Sequence, residues 1–169
     1  FAARYPDVEL DLNVSNDLVD IVGRGFDAGI RYGGTVPADM VVQRVSADIR
    51  WVVVGSAAYL DRFGVPGHPD ELLRHRCLRI RLGDESLYPW EFEKGDQSLS
   101  IDVPGSFTIN NTQLAIRLAV GGAALAYLPE PAVTEQTGAG SLRAVLEDWA
   151  PMGPGFHVYY TSRRQVPTA

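Results

Sequence analysis

The sequence predicts an α/β fold of two lobes, one inserted into the other. Three observations predict it. Strand and helix signals alternate along the chain, an order that lays helices against a sheet. Near the start, a period-two run, a short helical run and a second β run form a strand–helix–strand unit whose two strands are expected to be parallel. A long middle section, from about residue 55 to 156, carries its own strands and helices between two β-rich flanks. We therefore expect residues 1–50 with 159–169 to form the outer lobe and residues 51–158 the inserted lobe, joined by two crossing strands.

In chain order, Val8, Leu10, Leu12 and Val14 alternate with Glu9, Asp11 and Asn13, the pattern of a strand with one apolar face. Ser15-Asn16-Asp17 offers N-cap side chains to a short amphipathic helix through Leu18, Val19, Ile21 and Val22, closed by Gly23 and Gly25. Residues 26–32 read as a second strand, stopped by Gly33-Gly34. Trp51-Val52-Val53-Val54 is a β run without alternation, as expected of a strand buried on both faces. Residues 57–63 and 69–75 read as short helices, the second with Pro69 in its first turn.

Leu78, Ile80 and Leu82 alternate with Arg79 and Arg81 to give a strand with one basic face, and residues 90–93, 100–103 and 107–109 are short strands. Asn110-Asn111 caps a helix over about 112–120, ended by Gly121-Gly122. An apolar strand over 123–128 stops at Pro129, and Pro131 opens one more short helix. Residues 142–149 are strand or irregular, 151–155 a loop, and 157–162 the final strand.

The composition narrows the function. The 169 residues are 46% hydrophobic and 21% charged, ordinary for a soluble globular domain. No stretch approaches the roughly 18 apolar residues of a membrane span, and residues 1–10 lack the pattern of an export signal. The net charge of −6 gains nothing from counterion release, so this piece of chain does not grip DNA by charge. With Cys77 as the single cysteine, no intrachain disulfide forms, and a reducing compartment, the cytoplasm, fits.

No catalytic constellation emerges, and we expect no enzyme activity, no metal and no cofactor. The three histidines, His68, His75 and His157, stand in no nucleophile motif, and Gly55-Ser56-Ala57 makes no nucleophile elbow. Cys77 lies two residues after His75, but it begins a strand and reads as a small buried residue. His68, His75 and Cys77 match no zinc spacing. Gly23-Arg24-Gly25-Phe26-Asp27-Ala28 fits a dinucleotide fingerprint in letters only, because a helix precedes and a strand follows. Arg74, Arg76, Arg79 and Arg81 form the one dense basic cluster, read as a solvated strand face.

Binding fits better than reaction. Two helix N-termini, at Ser15-Asn16-Asp17 and Asn110-Asn111-Thr112, present the backbone N–H groups that seat a carboxylate, although the charge of Asp17 competes at the first. Arg31 falls at the carboxyl end of its strand, where ligands gather in open α/β sheets.

The order of segments resembles the effector-binding domain of LysR-type transcription regulators. Arg4-Tyr5-Pro6-Asp7-Val8-Glu9-Leu10-Asp11-Leu12 is similar to that domain's common opening. Asp20-Ile21-Val22-Gly23-Arg24-Gly25-Phe26-Asp27-Ala28-Gly29-Ile30-Arg31-Tyr32-Gly33 resembles its next block. Ser56-Ala57-Ala58-Tyr59-Leu60 matches except that Ala57 replaces proline. His68-Pro69-Asp70-Glu71-Leu72, His75-Arg76-Cys77-Leu78, Trp90-Glu91-Phe92 and the run from Gly121 to Pro129 follow in order.

The resemblance implies a two-lobed fold like the type II periplasmic binding proteins, with a small-molecule effector in the interlobe cleft. It also implies a winged helix-turn-helix upstream that contacts DNA, and a homo-oligomer, a dimer or tetramer, that carries the signal. By position, the effector contacts implied are Ser15, Asn16, Arg31, Tyr32, Asn110, Asn111 and Thr112, with Tyr127 and Pro129 nearby. The family's domain opens with a strand and long helix that precede this chain's first residues, so the outer lobe is expected to lack its first strand and most of its first helix. A solute-binding protein of a transport system with the same fold is the alternative reading.

Overall fold

The structure, a computed structural model, describes residues 1–15, 21, 23–33 and 40–161. Asn16 and most of the helix expected at 18–22 lie outside the described residues.

The centre of the molecule is β3 (Ile49–Gly55). It is flanked on one edge by β9 (Ala126–Pro129), antiparallel, with Val53 opposite Tyr127. On the other edge it meets β10 (Arg143–Val145) and β11 (Met152–Gly153), both antiparallel. Its lack of alternation follows from packing on both faces: Val53 points into one core with Tyr59, Trp90 and Phe92, while Val52 and Val54 point into another with Leu78, Ala115 and Leu128. All three valines are nearly or fully buried, and a polar face here would have no water to meet.

Helix α1 (Ala57–Phe63) follows, with the Ser56 hydroxyl accepting the Tyr59 N–H. The stretch Pro69–Arg74 is a 3₁₀ turn rather than an α-helix, six residues being too few to commit to a stable α-helix. Next comes β4 (Leu78–Arg81), set between β5 (Leu87–Tyr88), antiparallel, and β8 (Phe107–Ile109), parallel. Between them β6 (Trp90–Lys94) and β7 (Gln97–Ile101) form a hairpin. Close approach ties β8 to the rest: a Cβ on Gly105 would sit 1.9 Å from the Cys77 carbonyl oxygen. Helix α2 (Thr112–Val120) is capped by Asn111, and the chain leaves it through Gly122 at φ +72°, a left-handed conformation that glycine adopts without strain. Helix α3 (Glu130–Gly138) starts directly from β9, with Pro131 in its first turn.

A separate three-stranded sheet joins β1 (Gly29–Tyr32), β12 (Phe156–Tyr160) and β2 (Val41–Arg44), with β12 in the middle and both pairings antiparallel. Here the structure departs from two expectations. Residues 8–14 form no strand and join no ladder among the described residues; Leu12 is 79% and Val14 93% exposed. Alternation supplies an apolar face, but a strand also needs a ladder partner for its backbone groups. Among the described residues β1 has no parallel partner and takes β12, more than a hundred residues away, as its antiparallel one. The strand β2 had no sequence signal strong enough to mark it: its four residues hold two valines, a glutamine and an arginine.

Candidate functional site: an aromatic-floored cavity at the start of α2

Strand β8 runs parallel to β4, with Ile109 opposite Ile80, and delivers the chain to Asn110 and Asn111 at the carboxyl end of that pair. Asn111 Oδ1 accepts the Leu114 N–H at 2.9 Å, and the Asn111 carbonyl accepts the Ala115 N–H at 3.0 Å. That leaves the backbone N–H groups of Thr112 and Gln113 in the first turn, which no intrahelical carbonyl reaches. They carry the positive end of the helix dipole, worth about 0.3–1 kcal/mol to an anion there.

This helix start opens onto a cavity of about 890 Å³, a volume suited to a small metabolite. Ser15, Arg31, Tyr32, Asn110, Asn111, Thr112, Tyr127 and Pro129 all line it. The sequence-predicted contacts, Asn16 apart, are therefore brought to one cavity from four separate segments. Arg31, on β1, donates from Nε to the Tyr159 hydroxyl at 3.1 Å, its guanidinium carbon 6.0 Å from the centroid of that ring. This anchors the side chain before any ligand arrives. Ser15 is exposed.

The floor is aromatic. Phe156 stacks on Tyr32 with centroids 4.5 Å apart, Tyr32 meets the Trp51 ring edge-on at 5.4 Å, and Trp51 stacks on Tyr127 at 5.3 Å. Tyr127 continues the series onto Trp90 at 5.5 Å and Tyr88 at 6.5 Å. The Tyr127 hydroxyl donates to the Glu91 carbonyl at 3.0 Å, and the Tyr88 hydroxyl donates to the Glu91 carboxylate. Burial first, and the neighbouring carboxylates after it, push both phenols well above the ordinary tyrosine value; burial alone raises Tyr32. All three remain neutral donors across the physiological range.

Sequence reasoning missed Trp51, Tyr88 and Phe156 in this floor, and Arg81, Glu91 and Glu93 in the walls. A signal existed for the last two. Trp90 and Phe92 alternate with Glu91 and Glu93, so β6 has one buried and one polar face, but nothing local says what the polar face looks toward.

The alternative chemistries find no support in the geometry. Cys77 is fully buried and burial pushes its thiol up to about 12, which leaves almost no thiolate at neutral pH. The imidazole of His75 meets the Tyr59 hydroxyl at 3.2 Å, while Cys77 Sγ lies near the carbonyls of Leu72 and His75. Among the described residues, no group of three or more His, Cys, Asp or Glu is placed to hold a metal. The Gly23 to Gly25 segment is a turn running into β1, with no helix after it to meet a phosphate. The arginine cluster divides: Arg76 lies over the Phe63 ring at 5.1 Å, whereas Arg81 lines the cavity and pairs with Glu85 at 3.0 Å. No helix among the described residues is long and apolar enough to cross a membrane.

Comparison with known proteins fits this picture. A family model described as the LysR substrate binding domain matches residues 1–169. The HTH-type transcriptional regulator YcaN of Escherichia coli is 34% identical over 166 residues, 98% of this chain and 54% of that protein. A putative transcriptional regulator of Pseudomonas aeruginosa is 33% identical over 162 residues, 95% of this chain and 53% of its own length. The chain thus spans about half the length of the curated relatives it matches. Among solved structures, CrgA, a LysR-type transcriptional regulator from Neisseria meningitidis, aligns with a TM-score of 0.82 at 24% identity, covering 98% of this chain and 55% of that one. The regulatory domain of the C227S variant of AphB from Vibrio vulnificus aligns at 0.83 and 19%, covering 99% and 82%. The fold is that of these regulatory domains, similar to the type II periplasmic binding proteins.

Proposed function

The chain belongs to the LysR substrate-binding-domain family, and from that premise we propose that it is the effector-sensing domain of a DNA-binding transcription regulator that takes a small carboxylate into the cavity at α2. The observation that carries this reading is the convergence on one cavity of the Asn111-capped start of α2, the anchored Arg31 and a run of aromatic rings. The carboxylate accepts from the first-turn N–H groups and from Asn110, Asn111 and Thr112, with Arg31 and Ser15 facing it. Tyr32 and Tyr127 bound the effector's body, and Pro129 and Trp51 close the cavity beneath it. On this reading the effector is bound and released unchanged, without a cofactor.

Signal output belongs to the whole protein. A homo-oligomer, dimer or tetramer, exists in two arrangements, and the effector binds one more tightly, shifting the population. A coupling of about 1–3 kcal/mol suffices. A winged helix-turn-helix outside this chain, in the cytoplasm, contacts the DNA; the regulator names of the relatives favour this over the transport reading.

A thermal-shift screen of the protein against small aliphatic and aromatic carboxylates tests the reading. At about 100 times its dissociation constant, a ligand adds roughly 2.7 kcal/mol of stability. At least one carboxylate is expected to raise the midpoint, and Arg31→Gln to diminish that rise. A folded protein that responds to none of them overturns the proposal.

A further inference from the structure

The cavity has a second wall, which a simple carboxylate leaves unused. We propose that the polar face of the β6–β7 hairpin selects a cationic nitrogen, so that the effector is an elongated dipolar molecule with its carboxylate at α2 and its cation against Glu91 and Glu93. This rests on the reading above, that a carboxylate occupies the start of α2.

The hairpin's register sets the wall. Trp90 and Phe92 turn into the core, which places Glu91 and Glu93 on the opposite face, paired with Ser100 and Ser98; all four polar residues line the cavity. Among the described residues the lining carries three carboxylates, Asp84, Glu91 and Glu93, against two guanidinium groups, Arg31 and Arg81. The charge of Arg81 is already met by Glu85 outside that lining. Asp84 accepts from the Ser86 backbone N–H and hydroxyl at 3.0 and 2.6 Å. Glu91 is held in place by the Tyr88 hydroxyl.

A diacid reaching this wall meets repulsion, and an apolar tail strips water from the carboxylates with no return. A cationic nitrogen gains charge-assisted hydrogen bonds, with the Tyr88 and Tyr127 rings beside it.

The sheet sets the backbone spacing between α2 and Tyr88, the residue whose hydroxyl holds Glu91. Ile109, Ile80 and Tyr88 form one row across β8, β4 and β5. Tyr88 therefore lies two strand spacings, about 10 Å, from the point where β8 hands over to α2. An α-amino acid carries both charges on one carbon and cannot bridge that gap. An ω-amino acid or another extended zwitterion can, and the cavity's 890 Å³ leaves room for its chain along the aromatic floor.

The test compares aminobutanoate, aminohexanoate and aminooctanoate, each amino group on the terminal carbon, with butanoate, hexanoate and octanoate. Dissociation constants come from thermal shift and calorimetry on the wild type, Glu91→Gln and Glu93→Gln, each checked by circular dichroism. In the wild type aminooctanoate is expected to bind about tenfold tighter than octanoate, the worth of one charge-assisted hydrogen bond, while aminobutanoate gains nothing over butanoate. In each Gln variant the preference is expected to fall severalfold, with octanoate affinity unchanged or improved. Octanoate binding as well as aminooctanoate, or a preference intact in both variants, overturns this inference and leaves the carboxylate reading standing. No binding by any member of the panel overturns the inference and counts against that reading too.

Discussion

Tyr127 is both a core residue and the middle of the cavity floor, and two substitutions separate those roles. It is 2% exposed, stacks on Trp51 and Trp90, tilts against Phe92, and donates its hydroxyl to the Glu91 carbonyl. Tyr127→Phe keeps every ring contact and removes one hydrogen bond, a loss of about 1 kcal/mol. Tyr127→Ala empties a site bounded by rings that have no short path to collapse, because Trp51 and Trp90 are fixed in β3 and β6. The usual range for deleting a buried aromatic, about 3–5 kcal/mol, applies at its upper part. With a urea slope of about 2 kcal/mol per molar, the midpoint is expected to move by roughly 0.5 M for Phe and 2 M for Ala at unchanged slope. The ligand response should survive in Tyr127→Phe. Two variants within about 1 kcal/mol of each other would refute the reasoning, since the ring stack would then carry no weight in the core.

Two further perturbations follow from the same packing. Burial raises the Cys77 thiol from 9.0 to about 12, so the folded state holds its proton more tightly than the unfolded chain. The linked stability is fully present below pH 9 and is lost as pH rises toward 12. Between pH 9 and 10, with every other titrating group common to the two proteins, the stability of the wild type, read from urea midpoints, should fall more steeply than that of Cys77→Ala, by up to about 1.4 kcal/mol per pH unit; parallel slopes would contradict a buried thiol. Gly105→Ala places a methyl 1.9 Å from the Cys77 carbonyl oxygen, whereas a Cβ on Gly138, within α3, meets nothing within 4 Å. The first is expected to lose about 1–3 kcal/mol or more and the second to gain about 0.5–1 kcal/mol, both read from thermal midpoints.

What could be read in advance was whatever the chain decides locally. The span 57–63 and the span 112–120 both matched, because a capping side chain, a short apolar face and a terminating glycine sit within a few residues of each other. The unalternating valines of β3 announced a strand covered on both sides. Partners were another matter. Residues 8–14 have as regular a period of two as any segment here, yet no ladder forms on them among the described residues, while β2, with no clear pattern, pairs fully with β12. Periodicity describes a face; pairing depends on which other strand arrives, and β1 and β12 are separated by most of the sequence. The same limit divides the site. Asn110, Asn111, Thr112 and Arg31 stand out as a helix start and a strand end, but Trp51, Tyr88 and Phe156 enter the floor only through contacts between distant strands.

That floor is also where the two principal sheets touch. Tyr32 and Phe156 come from the β1–β12–β2 sheet, while Trp51 and Tyr127 come from the sheet around β3. Within each sheet the rings stack nearly parallel, at 23° and 24°; across the junction, Tyr32 meets Trp51 edge-on at 60°. An edge contact of this kind is worth only about 0.5–1.5 kcal/mol beyond its buried area, comparable with the coupling an allosteric effector needs. A ligand lying along the floor touches rings from both sheets, so any change in their relative placement alters its contacts directly. Under the effector role proposed above, a preference for one placement of the two sheets would need no relay through the core, because the ligand would meet both sheets across the Tyr32–Trp51 contact.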